Sequence, residues 1–356
     1  MDKRTFLKSL IFGAAAAPLS PTAVLDSPQH RMTKSGRSFW VWARPRPGED
    51  ERDLDQRYRA WHRAGITGVL FETFSERHYR IAKAEGLQAH RWMWTLNRGD
   101  AELLRNHRDW YSVSRSGKSC ATDPPYVNHY RFLCPSHPDV LRFLQNEAQQ
   151  LLENPLVDGL HLDFIRYVDV ILPVNLWDKY GLEQQRELPD YDFCYSTYSK
   201  AKFKKETGID INRVKYPDQS HSWRTFRYRE ITHLVNQLAE IAASYQKPMS
   251  AAVFPTPEVA RRLVRQDWPS WNLDAVFPMI YHRFYREPVS WIGDAVQEGV
   301  DQLRGRFPLY AGLFLPDFDR PETLKEAIAL AFGRGAAGVS LFGNVDDRIL
   351  KTVMSV

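Results

Sequence analysis

Eight short apolar runs recur along this chain, each separated from the next by an amphipathic or charged segment. They are Phe39–Ala43, Gly68–Phe71, Gln88–Trp94, Asp158–Tyr167, Met249–Phe254, Ala275–Tyr281, Leu309–Leu315 and Gly338–Phe342. Helical periodicity fills most of the gaps, at 52–64, 76–85, 138–153, 223–246, 287–304 and 321–334. Gly65, Gly86 and Gly335 stand where a helix stops before the next run. Eight strand–helix units punctuated in this way predict an α/β fold, a (β/α)8 TIM barrel. An open doubly wound sheet is the rival, but no Gly-rich phosphate loop follows the first run. Two connections after strands are far longer than a simple βα loop needs, about 97–135 after strand three and about 167–192 after strand four. Both belong on the mouth side of the barrel, where long loops build substrate clefts.

The chain has 356 residues, enough for one barrel. Residues 1–30 read as an export signal and lead-in, and 31–356 as a single (β/α)8 catalytic domain. The N-terminus carries Lys3, Arg4 and Lys8, then the apolar stretch Leu10–Pro18, a run too short to span a membrane permanently. Lys3-Arg4-Thr5-Phe6-Leu7-Lys8 is similar to the twin-arginine motif with Lys in the first position. The expectation is therefore export, by a Sec or twin-arginine-like route, to the periplasm or outside, with no integral membrane association. The formal charge is +5, partly from this segment. The remaining excess is small and dispersed, and does not suit a nucleic-acid partner. Of the three cysteines, Cys120 and Cys134 flank one loop and could pair, leaving Cys194 over. No metal-ligand spacing stands out, so neither a metal nor a cofactor is expected.

The fourth run, Asp158-Gly-Leu-His-Leu-Asp-Phe-Ile-Arg-Tyr167, contains residues of the wrong kind for a core. With a side-chain period of two, Leu160, Leu162 and Phe164 share one face, and His161 and Asp163 the other. A carboxylate inside a strand needs a partner or a task. If the polar face points into the barrel mouth, Asp163 is the first candidate for chemistry. The same alternation brings Trp42 and Arg44, Glu72, Trp94 and Asn97, and Tyr281 and His282 to the rim, with Arg166 and Tyr167 just past strand four. Acids, aromatic faces and a few cations suit a carbohydrate. Glycoside cleavage uses two carboxyl groups flanking the bond, one as acid and one as nucleophile or base. Asp163 suits the nucleophile or base. For the acid, Glu258 after strand five, framed by Pro255 and Pro257, is preferred to Glu72. Asp317 and Asp319 read as solvated loop acids.

These residues resemble a family. The Asp158–Tyr167 run is similar to the strand-four motif of exported bacterial family 10-like glycosylhydrolases, a glycosyl-hydrolase-like TIM-barrel family. Cys134-Pro-Ser-His-Pro138, Gln266-Asp-Trp268 and Phe277-Pro-Met-Ile-Tyr281 follow the same pattern, and the likeness spans about 38–345. It implies an exported barrel that hydrolyses polysaccharide or peptidoglycan glycan, with its strand-four acid at Asp163, and it leaves the partner acid open. Chitinase-like barrels carry Asp-Gly-x-Asp-x-Asp-x-Glu on this strand. Here His161 and Ile165 replace two of those acids. The alternative is a non-catalytic carbohydrate-binding or cell-wall-associated barrel.

Overall fold

The computed structural model describes residues 37–356. The export signal expected over 1–30 lies outside the described residues. Eight strands form in the order expected: β1 Ser38–Ala43, β2 Ile66–Phe71, β3 Gln88–Trp94, β4 Gly159–Asp163, β5 Met249–Val253, β6 Ala275–Pro278, β7 Tyr310–Phe314 and β8 Gly338–Phe342. They pair in parallel around the sheet, β6-β5-β4-β3-β2-β1-β8-β7. Parallel bridges Val276–Leu309 and Met279–Gly312 join β6 to β7, so the sheet returns on itself as a (β/α)8 barrel. Helices such as Glu51–Arg63, Pro138–Glu153 and His221–Ser244 cover the outside. Among the described residues, no helix is long and apolar enough to cross a membrane.

Strand alternation sorts the core into two parts. Outward residues such as Val41, Val69, Leu160, Leu162 and Leu341 pack under the helices. Inward residues Trp40, Trp42, Leu70, Trp92, Phe277 and Tyr310 fill the barrel itself. Rings this large fit only because their neighbours have no side chain. A Cβ on Gly68 would lie 2.4 Å from the Trp40 ring, and one on Gly159 would lie 2.6 Å from His90. Large rings facing small residues are how a barrel interior is filled in layers.

Strand four is shorter than its apolar run. The strand stops at Asp163, and Phe164 turns into the left-handed region at φ 51°. A bulky side chain rarely adopts that conformation. The Asp163 carboxylate accepts the Phe164 N–H at 2.6 Å, which holds the turn. The helix expected from 287 begins instead at Trp291. Arg286 at φ 58° and Pro288 keep the chain before it out of helical geometry.

Candidate active site

Asp163 sits at the carboxyl end of β4, 9% exposed, on the floor of a cavity of about 290 Å³. That volume is near the lower bound for small-ligand sites. The backbone of Asp163 is fixed from β3, because Thr95 donates its N–H and its hydroxyl to the Asp163 carbonyl, at 2.9 and 2.6 Å. Its carboxylate is fixed as well. One oxygen accepts the Phe164 N–H, and the other accepts the Trp92 indole N–H at 2.9 Å. Burial pushes the Asp163 carboxyl above the usual aspartate range. The two hydrogen bonds and the Arg166 charge oppose that push, and the Glu72 charge adds to it.

The walls are mostly aromatic. Trp42, Trp92 and Trp94 come from β1 and β3, Phe342 from β8, and Tyr281, Phe284 and Tyr285 from the turn after β6. The long loop after β3 supplies Tyr130, and the loop after β4 supplies Phe164, Arg166 and Asp169. Arg166 is 5% exposed and pairs with Asp169 at 2.7 Å. Its guanidinium also lies 5.1–5.7 Å from the ring centres of Tyr130, Phe132, Phe164 and Phe254. Such stacking fixes a cation without consuming its hydrogen bonds. At the rim, Arg44 forks onto Glu72, with Nη2 at 2.8 Å from Oε1 and Nε in contact with Oε2. The Arg44 side chain is 72% exposed and that of Glu72 only 12%.

Of the residues singled out from the sequence, Asp163, Trp42, Arg44, Trp94, Arg166 and Tyr281 all line this cavity. Glu72 stands behind Arg44, close enough for its charge to act on Asp163. Five others are placed elsewhere. Glu258 is exposed in the first turn of the helix Pro257–Val264, which Thr256 caps. Its N–H bonds to Glu298 at 3.0 Å, away from the cavity lining. Of the two prolines that seemed to stiffen a presenting loop, Pro257 instead opens the helix just after its cap, and an acid there answers the helix dipole.

His161 is fully buried one layer below Asp163. Its Nε2 accepts the Trp42 indole N–H at 3.1 Å, and its Nδ1 bonds the Ser250 hydroxyl at 2.9 Å. Both nitrogens are used inside the barrel, and burial holds its pKa well below the ordinary histidine value. Asn97 holds the long loop by accepting the Arg131 N–H at 2.8 Å. Tyr167 is buried, with its N–H on the Val264 carbonyl. His282 is buried 3.8 Å from Asp317 and does not line the cavity.

Asp317 is also not the solvated acid expected. It is 7% exposed, and burial pushes its carboxyl upward. Asp319 is exposed, as expected, and pairs with Arg283 at 2.6 Å. Asp169, Phe254 and Tyr285 escaped the sequence reading. Asp169 had a signal, since an acid three residues past Arg166 can pair with it. Phe254 and Tyr285 look like ordinary core residues in sequence. Among the described residues, no group of three or more His, Cys, Asp or Glu could hold a metal.

No protein-family model and no curated protein matches this chain. Solved structures do match. The glycoside hydrolase domain of PgaB (BpsB) from Bordetella bronchiseptica superposes with a TM-score of 0.65 at 16% identity, covering 89% of this chain and 97% of that one. The catalytic domain of a β-amylase from Paenibacillus polymyxa superposes at 0.60 and 10% identity, covering 88% and 94%. A β-galactosidase from Marinomonas ef1 superposes at 0.61 and 10% identity, covering 89% of this chain and 58% of that one. At these identities the shared property is the barrel fold.

Proposed function

We propose that this protein is a glycoside hydrolase in which Asp163 supplies the essential carboxyl group. The observation that carries the reading is the placement of one desolvated, rigidly held carboxyl at the bottom of an aromatic-walled cavity, on the face where barrel enzymes react. Aromatic walls suit the C–H faces of a sugar ring. A carboxyl with a raised pKa suits a proton donor to the leaving oxygen. Asp163 is therefore assigned as the general acid, the reverse of the role its strand position alone suggested.

Glu72 is the second carboxyl in this reading. It acts electrostatically on Asp163, and Arg44 orients it at the rim. There it either activates the attacking water or itself attacks the anomeric carbon while Asp163 protonates the leaving oxygen. The fold neighbours include a glycoside hydrolase domain, a β-amylase and a β-galactosidase, which supports this reaction class for a similar barrel. The expected substrate is an oligo- or polysaccharide met after export.

One observation favours a second reading, a carbohydrate-binding barrel without catalysis. Both other acids near the cavity are committed to arginines, Glu72 to Arg44 and Asp169 to Arg166. The two readings part on product. Purified protein is incubated with a panel of polysaccharides and peptidoglycan, and released reducing ends are counted beside binding by titration calorimetry. Turnover on any member supports the hydrolase. Binding with no released ends on every bound member supports the binding barrel.

A further inference from the structure

The two long mouth loops meet away from the cavity, in a buried seam. Residues 111–114 run down its middle. On one side Tyr111 bridges Leu133, and on the other Ser114 bridges Phe193. The Tyr195 N–H reaches the Val113 carbonyl at 2.7 Å. Cys134 follows the first of these contacts and Cys194 the second. Both are fully buried, and both sulfurs converge on Ser196. Cys134 Sγ lies 3.2 Å from the Ser196 hydroxyl and 3.3 Å from that of Ser199. Cys194 Sγ accepts the N–H groups of Ser196 and Val113, each at 3.4 Å. Cys120 is buried too, but its sulfur is not among the contacts of Ser196. The Cys120–Cys134 pairing considered from sequence is absent, and all three cysteines are thiols in this structure.

We propose that Cys134 and Cys194 form a disulfide when the protein folds in an oxidising compartment, fastening the loop after β3 to the loop after β4. The two sulfurs contact the same residue, Ser196, from either side, and the bridged backbones around them bring their chains together where such a bond needs them.

The chemistry balances as ordinary thiol–disulfide exchange. The Cys194 thiolate attacks one sulfur of an external disulfide, such as oxidised glutathione, and expels a thiolate. Cys134 then attacks the mixed disulfide at the Cys194 sulfur and expels the second. One S–S bond breaks and one forms, and two electrons and two protons leave on the two released thiols. The order of the two thiols is interchangeable, because the same bonds break and form whichever attacks first. Because both sulfurs are shielded in the folded seam, exchange takes place as the loops close during folding.

The consequence reaches the cavity, since Tyr130 lies on one loop and Phe164, Arg166 and Asp169 on the other. The bond would close a chain loop of roughly 60 residues and restrict the unfolded state accordingly. It does not depend on the hydrolase reading.

The test is peptide mapping of the full chain refolded with oxidised and reduced glutathione. The sample is alkylated under denaturing, non-reducing conditions, digested and weighed. The expected result is a Cys134–Cys194 linked peptide, two hydrogens lighter than its parts, with Cys120 alkylated. A Tm about 5–10 °C above that of the dithiothreitol-treated protein should accompany it. The C120S variant should keep both the link and the shift. Recovery of Cys134 and Cys194 as separately alkylated peptides, or of Cys120 linked to either, would overturn the proposal. This readout uses the wild-type chain, so it stands even if C134S or C194S fails to fold.

Discussion

Two polar residues two positions apart on β4 divide the barrel into regions with different tasks. His161 and Asp163 share one face of one strand, separated by about 7 Å of chain. At the level of His161 the interior is closed. Rings fill it against Gly68 and Gly159, and each nitrogen of the His161 imidazole has a partner. At the level of Asp163 the packing opens into the cavity. The carboxyl there also has two hydrogen bonds, but it faces space rather than a ring. The difference teaches that alternation alone does not separate structure from chemistry. Depth in the barrel does, because a polar group in the closed layer stabilises the fold and the same kind of group one layer up is free to react.

The most severe disruption is expected in the closed layer. His161→Ala empties a ring-sized volume and leaves the Trp42 indole N–H unpaired. The expected cost is about 3–5 kcal/mol of stability, measured by urea denaturation. A loss below about 1 kcal/mol would mean the floor is not packed as described. Gly159→Ala, which drives a methyl into His90, should cost about 2–3 kcal/mol in the same experiment. Free tolerance of that methyl would contradict the large-against-small layering.

The mouth should answer differently, in activity more than in stability. Trp92→Phe keeps an apolar ring but removes the hydrogen bond that favours the charged form of Asp163. The carboxyl pKa should rise further. A general acid works while protonated, so the alkaline limb of the pH–rate profile should move to higher pH, with kcat/KM lowered by about tenfold. An unmoved alkaline limb with the acid limb moving to higher pH would show that Asp163 acts as its carboxylate. Glu258→Gln should do least, leaving stability within about 0.5 kcal/mol, as expected for an exposed helix position. Steady-state activity should stay unchanged, and a large fall would return Glu258 to the mechanism.

The layering also explains what the sequence could disclose. The strands and most helices were legible because a period of two, a period of 3.6 and glycine stops are local signals. Asp163 was legible because a carboxylate in an apolar strand is locally anomalous. His161 carried the same anomaly, but its partners Trp42 and Ser250 lie 119 and 89 residues away, so its satisfaction was invisible. Glu258 misled for a related reason. Pro-Thr-Pro-Glu reads equally as a stiff presenting loop or as a capped helix start, and only the direction of the chain after β5 decides. Asp317 lost its solvent to His282, a contact made between two different βα loops.

The most direct test of the account is Asp163→Asn, with activity and melting measured on one preparation. The substitution keeps the shape and removes the ionisable proton at the one place where the closed interior gives way to the cavity. The predicted result is a fall in kcat/KM of about 10³-fold or more on the best polysaccharide substrate, worth roughly 4 kcal/mol of transition-state stabilisation. Tm should fall by no more than about 5 °C, because the amide loses one of the two N–H bonds the carboxylate accepts while the closed layer below keeps its packing. Activity surviving within about tenfold, in a protein that still melts cooperatively, would contradict the central claim that the carboxyl above the closed layer carries the chemistry.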